Sequence, residues 1–287
     1  KGFNQAVACA RAGADTCFVC ALGDDAGGQY ARALATADGI DLRDRCSAAP
    51  TGTAGIFVDA EGSNSIIVGP GANADLSVDA VDAQRDAIVA AQVLLVQLES
   101  PADTVHAALR HARGAGVPTL LNPAPANGTI ATAAFDCVDT LTPNESEFCT
   151  LLARHLGERV AAEDMAALGT ARLHALCRKL LPDGSVVITL GASGCFVSHP
   201  EARQRGDAST CYRVGAERAH VIDTTGAGDA FNGALAASIA MNPMQPFESH
   251  VRFATRCAAL STERPGAAAS MPRLADVVAR FGDPLTA

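Results

Sequence analysis

Hydrophobic and polar positions alternate in blocks along most of this chain, and the blocks have the lengths of strands and helices. Short, continuous apolar runs predict buried strands at 16–22, 93–98, 117–121, 138–142 and 185–190. Amphipathic stretches predict helices at about 5–13, at 78–90, 102–113, 144–155 and 162–181. Another helix is predicted to follow the turn at 23–25 and to end at about residue 36. Apolar strands that alternate with such helices are typical of an α/β fold with a mostly parallel sheet covered on both faces.

Residues 51–69 follow a different pattern, T-G-T-A-G-I-F-V-D-A-E-G-S-N-S-I-I-V-G. Two short β-rich runs around a polar segment predict a hairpin that turns at 61–64. Glycine is frequent in it and hydrophobic alternation is poor. We therefore expect the hairpin to lie outside the main sheet, as a cover.

The stretch H-V-I-D-T-T-G-A-G-D-A-F-N at 220–232 carries the first candidate chemistry. Val221 and Ile222 predict the end of a short buried strand, 223–226 a turn, and the residues after them a helix. Backbone N–H groups at a glycine-rich helix N-terminus bind anions. Asp229 in the first turn would repel a bound phosphate. Its presence suits a base that takes a proton from a hydroxyl attacking phosphorus.

Simpler interpretations of this stretch remain open. The glycines also suit a flexible turn, with Asp229 complementing the helix dipole. A dinucleotide-binding fingerprint is less favoured because Phe231 stands at its third glycine position. A P-loop is excluded, since no G-K-[ST] follows.

Polar or glycine residues follow five predicted strands at the point where each one ends: Glu99, Asn122, Asn144, Gly191 and Asp223. In an open parallel sheet, ligands bind outside the carboxyl ends of the strands. Each residue alone has an ordinary explanation as a helix cap or turn former. Together with Asp229 they indicate a site along this edge.

Composition narrows the classes of partner. The 287 residues, 48% of them hydrophobic, suffice for a large core. A net charge of −9 without a basic run argues against nucleic acid and anionic membranes. No apolar run approaches the ~20 residues of a membrane span. Ten scattered cysteines predict a reducing, cytoplasmic location, and Cys17 and Cys20 are expected on opposite faces of a strand rather than at a metal site.

Several motifs resemble the ribokinase-like carbohydrate kinase superfamily. D-T-T-G-A-G-D-A-F-N-G-A-L at 223–235 resembles its second signature, and K-G-F-N-Q-A-V-A at 1–8 resembles the tail of its first. V-Q-L-E at 96–99, N-P-A-P-A at 122–126 and T-P-N-E at 142–145 point to the ribokinases within it. The resemblance spans residues 1–287. It implies one domain, a three-layer sandwich with a mostly parallel central sheet and a small β-lid that includes 51–69.

The resemblance also implies an activity, the phosphorylation of D-ribose by ATP at the 5-hydroxyl to give ribose 5-phosphate. Asp229 would be the base, and the N–H groups of three neighbours would form the anion hole: Gly226, Ala227 and Gly228. The positions that bind the sugar match Lys1, Gly2, Asn4, Glu99 and Asp229. The alternative is a related kinase that acts on fructose, 2-keto-3-deoxygluconate or adenosine.

The nucleotide and metal sites follow from the same resemblance. Asn144 matches a nucleotide-phosphate contact, and Glu147 matches the acid that holds Mg²⁺ through water. The other nucleotide positions match Thr189, Leu190, Gly191, Ala192, Ser193, Gly194, Gly228 and Thr255, the last where bacterial relatives carry a histidine. A site for K⁺ matches Asp223, Thr225, Ser261, Arg264, Gly266 and Ser270.

Two further expectations concern assembly and extent. The resemblance implies a homodimer formed through the lid. In the family pattern about forty residues precede the position of Lys1, including the first strand of the sheet. We therefore expect the sequence to be a piece of a longer protein.

Overall fold

The computed structural model describes residues 1–58 and 64–282. Its helices are α1 (Gly2–Arg11), α2 (Ala26–Ala37), α3 (Val78–Asp82), α4 (Arg85–Ala90), α5 (Ala102–Ala115), α6 (Glu145–Leu156), α7 (Thr170–Leu180), α8 (Ala227–Met241), α9 (Phe247–Ser261) and α10 (Leu274–Phe281). Its strands are β1 (Cys17–Gly23), β2 (Asp41–Ser47), β3 (Thr53–Val58), β4 (Asn64–Gly69), β5 (Leu94–Val96), β6 (Thr119–Leu121), β7 (Thr140–Leu141), β8 (Ser185–Thr189), β9 (Cys195–Ser198) and β10 (Cys211–Val214).

The main sheet has six strands in the order β10-β9-β8-β7-β6-β5. Strands β5 to β8 pair in parallel, as the alternating pattern predicts. Strands β9 and β10 add antiparallel pairs at one edge, and the sequence pattern did not reveal them. The parallel strands are shorter than predicted, and the residues outside them include apolar ones such as Val93, Val117 and Leu190.

Helices cover this sheet on both faces, and successive residues of β8 show the division. Val186 and Ile188 belong to a core with α5, α6 and α7. Val187 between them points the other way, into a core with α8, α9 and α10. Both faces of the strand are therefore buried, which explains its continuous apolar run. The predicted α/β fold with a mostly parallel sheet is confirmed.

Strands β1 and β2 form a separate parallel pair. The pattern D-L-R-D-R-C-S of β2 did not predict a strand, because charged side chains alternate poorly with apolar ones. Contacts with other elements satisfy these charges, as when Arg32 of α2 donates to Asp44. Cys17 of β1 is exposed and Cys20 is buried, as expected for opposite faces.

The predicted hairpin forms from β3 and β4, which pair antiparallel from Thr53 opposite Gly69 to Val58 opposite Asn64. These two strands make a sheet of their own, so the hairpin lies outside the main sheet as expected. Most of the predicted turn, 61–64, falls outside the described residues. None of the helices in the described ranges is long and apolar enough to cross a membrane.

Two predicted helices are interrupted. The helix expected at 78–90 is split into α3 and α4, because Gln84 bonds back to the carbonyl of Val81, three residues earlier, and tightens the turn. The helix expected at 162–181 begins as a 3-10 segment, Ala162–Ala167. It restarts as α7 after Gly169, whose backbone is extended and whose residue type disfavours helix.

The short buried strand expected to end at Val221 and Ile222 is wrong. Both side chains are exposed, at 60% and 58% of their accessible area. The N–H groups of Ile222 and Asp223 both donate to the carbonyl of Thr262, just after α9. This segment therefore reaches α8 as a loop fixed to the end of a helix, not as a strand of the sheet.

Helices α1 and α8 pack closely because α8 carries a glycine at their contact. A Cβ at Gly233 would lie 2.4 Å from the carbonyl oxygen of Gln5 and 2.6 Å from the Cβ of Ala8. Any side chain there would push the two helices apart. This close approach brings the first turn of α1 against the first turn of α8.

We predict that Gly233→Ala destabilises the fold by about 1–3 kcal/mol, as overpacking does in other cores. The matched control is Gly114→Ala in α5, where an added Cβ meets nothing within 4 Å. That control should stabilise by roughly 0.5–1 kcal/mol, since alanine favours helix over glycine. Urea unfolding measures both. Equal effects of the two substitutions would contradict this account of the α1–α8 contact.

Candidate active site

Asp229 lies in the first turn of α8 and is 5% exposed. Each of its carboxylate oxygens accepts a hydrogen bond from α1. The side-chain amide of Asn4 donates to Oδ2 over 2.9 Å, and that of Gln5 donates to Oδ1 over 2.9 Å. Two neutral donors thus hold the carboxylate at the N-terminus of a helix, where the helix dipole also favours negative charge.

The backbone ahead of Asp229 has the shape of an anion-binding turn. Gly226, the N-cap of α8, has φ of +80°, a conformation that side chains disfavour. Gly228 is exposed, and a Cβ there would meet nothing within 4 Å. The N–H of Ala227 donates to the carbonyl of Thr224 over 3.2 Å, so this predicted donor already has an internal partner. The backbone at Gly228 is open to the approach of another group.

Asparagine and glutamine side chains extend the contacts of Asp229 into the ends of the parallel strands. Gln5 contacts Gln97, which follows β5, and Asn122, which follows β6. Asn232, one turn after Asp229, accepts from the Thr142 hydroxyl beyond β7 and donates to the Gly228 carbonyl. No sequence motif indicated a role for Gln5, Gln97 or Asn232, because the side chains that they contact are remote in sequence.

The candidate sugar residues come together on one side of Asp229. Lys1 lies beside Glu99, which is in the segment that follows β5. A Cβ at Gly2 would lie 2.8 Å from the Gln97 side chain, so this glycine allows α1 to approach β5. With Asn4 on Asp229, the start of α1 presents amide donors and a carboxylate acceptor together. A polyol needs both kinds of partner.

Asn144 and Glu147 face each other at the start of α6. Asn144 is the N-cap, and the two residues exchange side-chain and backbone hydrogen bonds of 2.8 Å in a capping box. Burial raises the pKa of the Glu147 carboxyl, and the negative charge of Asp229 raises it further. The hydrogen bond from the Asn144 N–H and the positive charge of Lys1 act in the opposite direction. Glu147 therefore lies close enough to Asp229 for the two carboxylates to repel each other.

The loop after β8 lies beside Asn144, which forms a parallel bridge with Thr189. The short turn Gly191–Ser193 is exposed, whereas Leu190 is 3% exposed and packs in the core. Only the backbone of Leu190 therefore faces the loop side. Gly194 has φ of +83°, and Thr255 of α9 is buried against Cys195, the next residue.

The candidate cation residues occupy two loops that Asp223 joins. Its carboxylate accepts from the N–H groups of Thr225 and Gly266, each over 2.9 Å. These donors lower the pKa of Asp223 below its ordinary value. Ser270 donates to the Gly266 carbonyl over 2.7 Å. Ser261 and Arg264 are expected to contribute their carbonyls, and their side chains bond to the Ala258 carbonyl and to Asp276.

A profile of the pfkB family of carbohydrate kinases matches residues 1–274. The chain belongs to this family. It is 35% identical to the ribokinase of Haemophilus influenzae over 274 residues, which are 95% of this chain and 83% of that protein. The predicted resemblance is thereby confirmed.

Solved structures agree with this assignment. The ribokinase of Thermotoga maritima superposes with a TM-score of 0.82 at 30% identity, covering 98% of this chain and 86% of that one. The Arabidopsis thaliana ribokinase complexed with ribose and ATP superposes with a TM-score of 0.78 at 29% identity, covering 97% of this chain and 85% of that one. The fold is ribokinase-like.

We predict that Glu147→Gln stabilises the protein at about pH 8 and has no effect near pH 4. The pKa of Glu147 is raised above 4.5 in the fold, so the folded protein holds this proton more tightly than the unfolded chain. Its stabilising contribution is full below pH 4.5 and is lost as pH rises through the folded pKa. Glutamine keeps the acceptor for the Asn144 N–H without the buried charge.

Urea unfolding at the two pH values measures this difference. The control is Glu163→Gln, which removes an exposed carboxylate and should give no such pH-dependent gain. A Glu147→Gln protein that is less stable than the parent at the higher pH would show that burial does not disfavour this charge.

Proposed function

We propose that this protein transfers the γ-phosphoryl group of ATP to the 5-hydroxyl of D-ribose, giving ribose 5-phosphate. The observation that carries the proposal is the placement of Asp229. It lies at a helix N-terminus, bonded to Asn4 of α1, and its charge acts on Glu147, which bonds to Asn144 at the start of α6. The A. thaliana relative binds ribose and ATP. A sugar suits the residues around Asn4, and a nucleotide suits those around Asn144.

In this mechanism Asp229 accepts the proton of the attacking hydroxyl. Asn4 and Gln5 hold its oxygens in place, so that a lone pair is aimed at the substrate. The N–H groups of Gly226, Ala227 and Gly228 would form the anion hole for charge on the transferred phosphoryl group, with Ala227 sharing or releasing its long, 3.2 Å bond to the Thr224 carbonyl. In-line transfer needs little covalent help from the protein, and positioning with electrostatic stabilisation supplies most of the catalysis.

Lys1, Gly2, Asn4 and Glu99 would bind the sugar hydroxyls in this proposal. Asn144, Thr255 and the 189–194 loop would bind the nucleotide. Glu147 suits Mg²⁺, because carboxylate oxygens are its preferred protein ligands and the ion commonly keeps waters between itself and the protein. Bound there, Mg²⁺ would neutralise charge on the phosphates.

The lid and the cell compartment complete the proposal. Residues 51–69 would act as part of a lid on one kinase domain spanning 1–287, and closure of the lid would exclude water from the transfer. Ile67 and Val68 of β4 are exposed apolar residues, at 67% and 47%, which supports a homodimer through the lid. All ten cysteines are free, in keeping with a cytoplasmic location.

We expect D-ribose to be the preferred acceptor, with ATP and Mg²⁺ as donor and cofactor. The assay compares kcat/KM for ribose, fructose, 2-keto-3-deoxygluconate and adenosine. Asp229→Ala should lower kcat by ~10³–10⁴-fold, the upper range for a general base that also positions its substrate, while ATP binding persists. A higher kcat/KM on another acceptor would reassign the substrate. Retention of more than about a tenth of kcat by the variant would exclude Asp229 as the base.

We further propose that K⁺ activates the enzyme without touching either substrate. Asp223 already joins the turn before the anion hole to the loop at Gly266. A carboxylate oxygen that accepts one N–H keeps a second lone pair for a cation. The other ligands would be Ser270 and the carbonyls of Thr225, Ser261, Arg264 and Gly266. Such a site would hold the anion-hole turn in its working geometry.

We expect a several-fold higher kcat in K⁺ than in Na⁺ or tetramethylammonium at equal ionic strength, since loss of one anion-hole donor costs about 3–4 kcal/mol in other enzymes. Asp223→Ala should abolish the difference between the cations. Equal kcat in all three salts, or a variant that K⁺ still activates, would show that Asp223 only joins the two loops.

A further inference from the structure

We propose that Gln5 is a positioning residue for Asp229. Gln97 and Asn122 hold the Gln5 amide in the orientation that presents its NH₂ group to the Asp229 carboxylate. This inference rests on the proposed function of Asp229 as base. It adds a chain of three side-chain amides behind the carboxylate, running from the end of β5 to the end of β6. The chain acts on the reaction only through Asp229.

Both N–H donors and the oxygen of the Gln5 amide bond to Asp229 or to the two other amides. Its Nε2 donates to Asp229 Oδ1 over 2.9 Å and to Asn122 Oδ1 over 3.0 Å. Its Oε1 accepts from Gln97 Nε2. The residue is 1% exposed, so these bonds form away from water and no substrate atom reaches the amide. Gln5 is therefore a positioning residue and not a catalytic one.

The outer amides determine the direction of these bonds. Asn122 Nδ2 donates to the carbonyl of Thr142 over 2.9 Å, so its oxygen is the atom that faces Gln5. Gln97 presents a donor to Oε1 of Gln5. A flipped Gln5 amide would place its oxygen against the oxygens of Asn122 and Asp229. It would also place its NH₂ group against that of Gln97. Only one orientation satisfies every group, and it presents a donor to the base.

The geometry of α8 explains why the base needs this support. The helix fixes the Asp229 backbone but leaves rotation about χ1 and χ2 to be restrained by contacts. Asn4 bonds one oxygen and Gln5 the other, so the plane of the carboxylate is fixed as well as its position. Asn4 is only half-buried, on the proposed sugar side, whereas Gln5 is fully buried. We infer that Gln5 maintains the orientation of the base while Asn4 exchanges its contacts with substrate.

The first test is Gln5→Met, which keeps the length of the side chain and removes both donors and the acceptor. We expect kcat for ribose to fall by about 10–100-fold, because small displacements of a catalytic group cost rates of this order. The KM for ATP should change by less than about two-fold, since the proposed nucleotide residues lie elsewhere.

A double-mutant cycle separates positioning from general damage. In the Asp229→Asn background, Gln5→Met should lower the residual rate by less than about two-fold, because the group it positions no longer acts as a base. A further drop as large as in the parent would overturn the proposal. Gln97→Met serves as a milder variant if Gln5→Met folds poorly. It leaves Oε1 of Gln5 without its donor and should lower kcat several-fold, again with little change in the KM for ATP.

The stability control is Ser238→Ala. Ser238 lies in the same helix as Asp229, about 13 Å along it, and its hydroxyl makes a buried bond to His250 of α9 that the substitution removes. This variant should lose thermal stability and keep kcat. The outcomes for the two proposals are distinguishable. An unsubstituted enzyme that phosphorylates no acceptor overturns the proposed function and this inference with it. An active enzyme whose Gln5→Met and Gln97→Met variants keep kcat within about two-fold overturns only the inference.

Discussion

The contact between α1 and α8 is the constraint on which the rest of the site depends. Gly233 allows the two helices to touch at their backbones, and Asn4 and Gln5 then reach both oxygens of Asp229. A wider separation would break both hydrogen bonds together, because the two donors are neighbours on one helix turn. It would also leave a carboxylate that is 5% exposed without its partners, which is costly inside a protein. Packing in the core and the geometry of the base are thus the same requirement.

Negative charge dominates the space around this contact. The carboxylates of Asp229 and Glu147 lie close enough for the charge of Asp229 to raise the pKa of Glu147, while the charge of Lys1 lowers it. Burial already disfavours the charged form of Glu147, and the field of Asp229 disfavours it further. Such a cluster suits a reaction in which a cation and a polyphosphate arrive together, since the cation offsets the repulsion between carboxylate and phosphate. The same cluster without a cation would oppose nucleotide binding.

Local patterns were enough to predict most of the fold and part of the site. The apolar runs of β5 to β8 identified the parallel strands, because both faces of those strands are buried. The glycine turn before α8 and the capping pattern at Asn144 are local signals with local causes. Strand β2 escaped prediction because tertiary ion pairs, such as Arg32 with Asp44, satisfy its charges. The strand predicted to end at Ile222 does not form, and the pattern could not show this because an apolar residue in an exposed loop looks the same in sequence as the end of a strand.

The role proposed for Gln5 illustrates the remaining limit of sequence patterns. Its partners Asn122 and Asp229 lie 117 and 224 positions away, so no local motif connects them. Packing of the helices brings Gln5 to these partners instead. Every residue of α8 from 229 to 239 is buried, so the helix is enclosed on all sides rather than along one apolar face. A helix held in this way fixes the base more firmly than a loop could. The turn at 191–193, which we propose binds the nucleotide, is exposed instead. The proposed base thus lies on an enclosed helix, whereas the proposed nucleotide loop is open to an entering ligand.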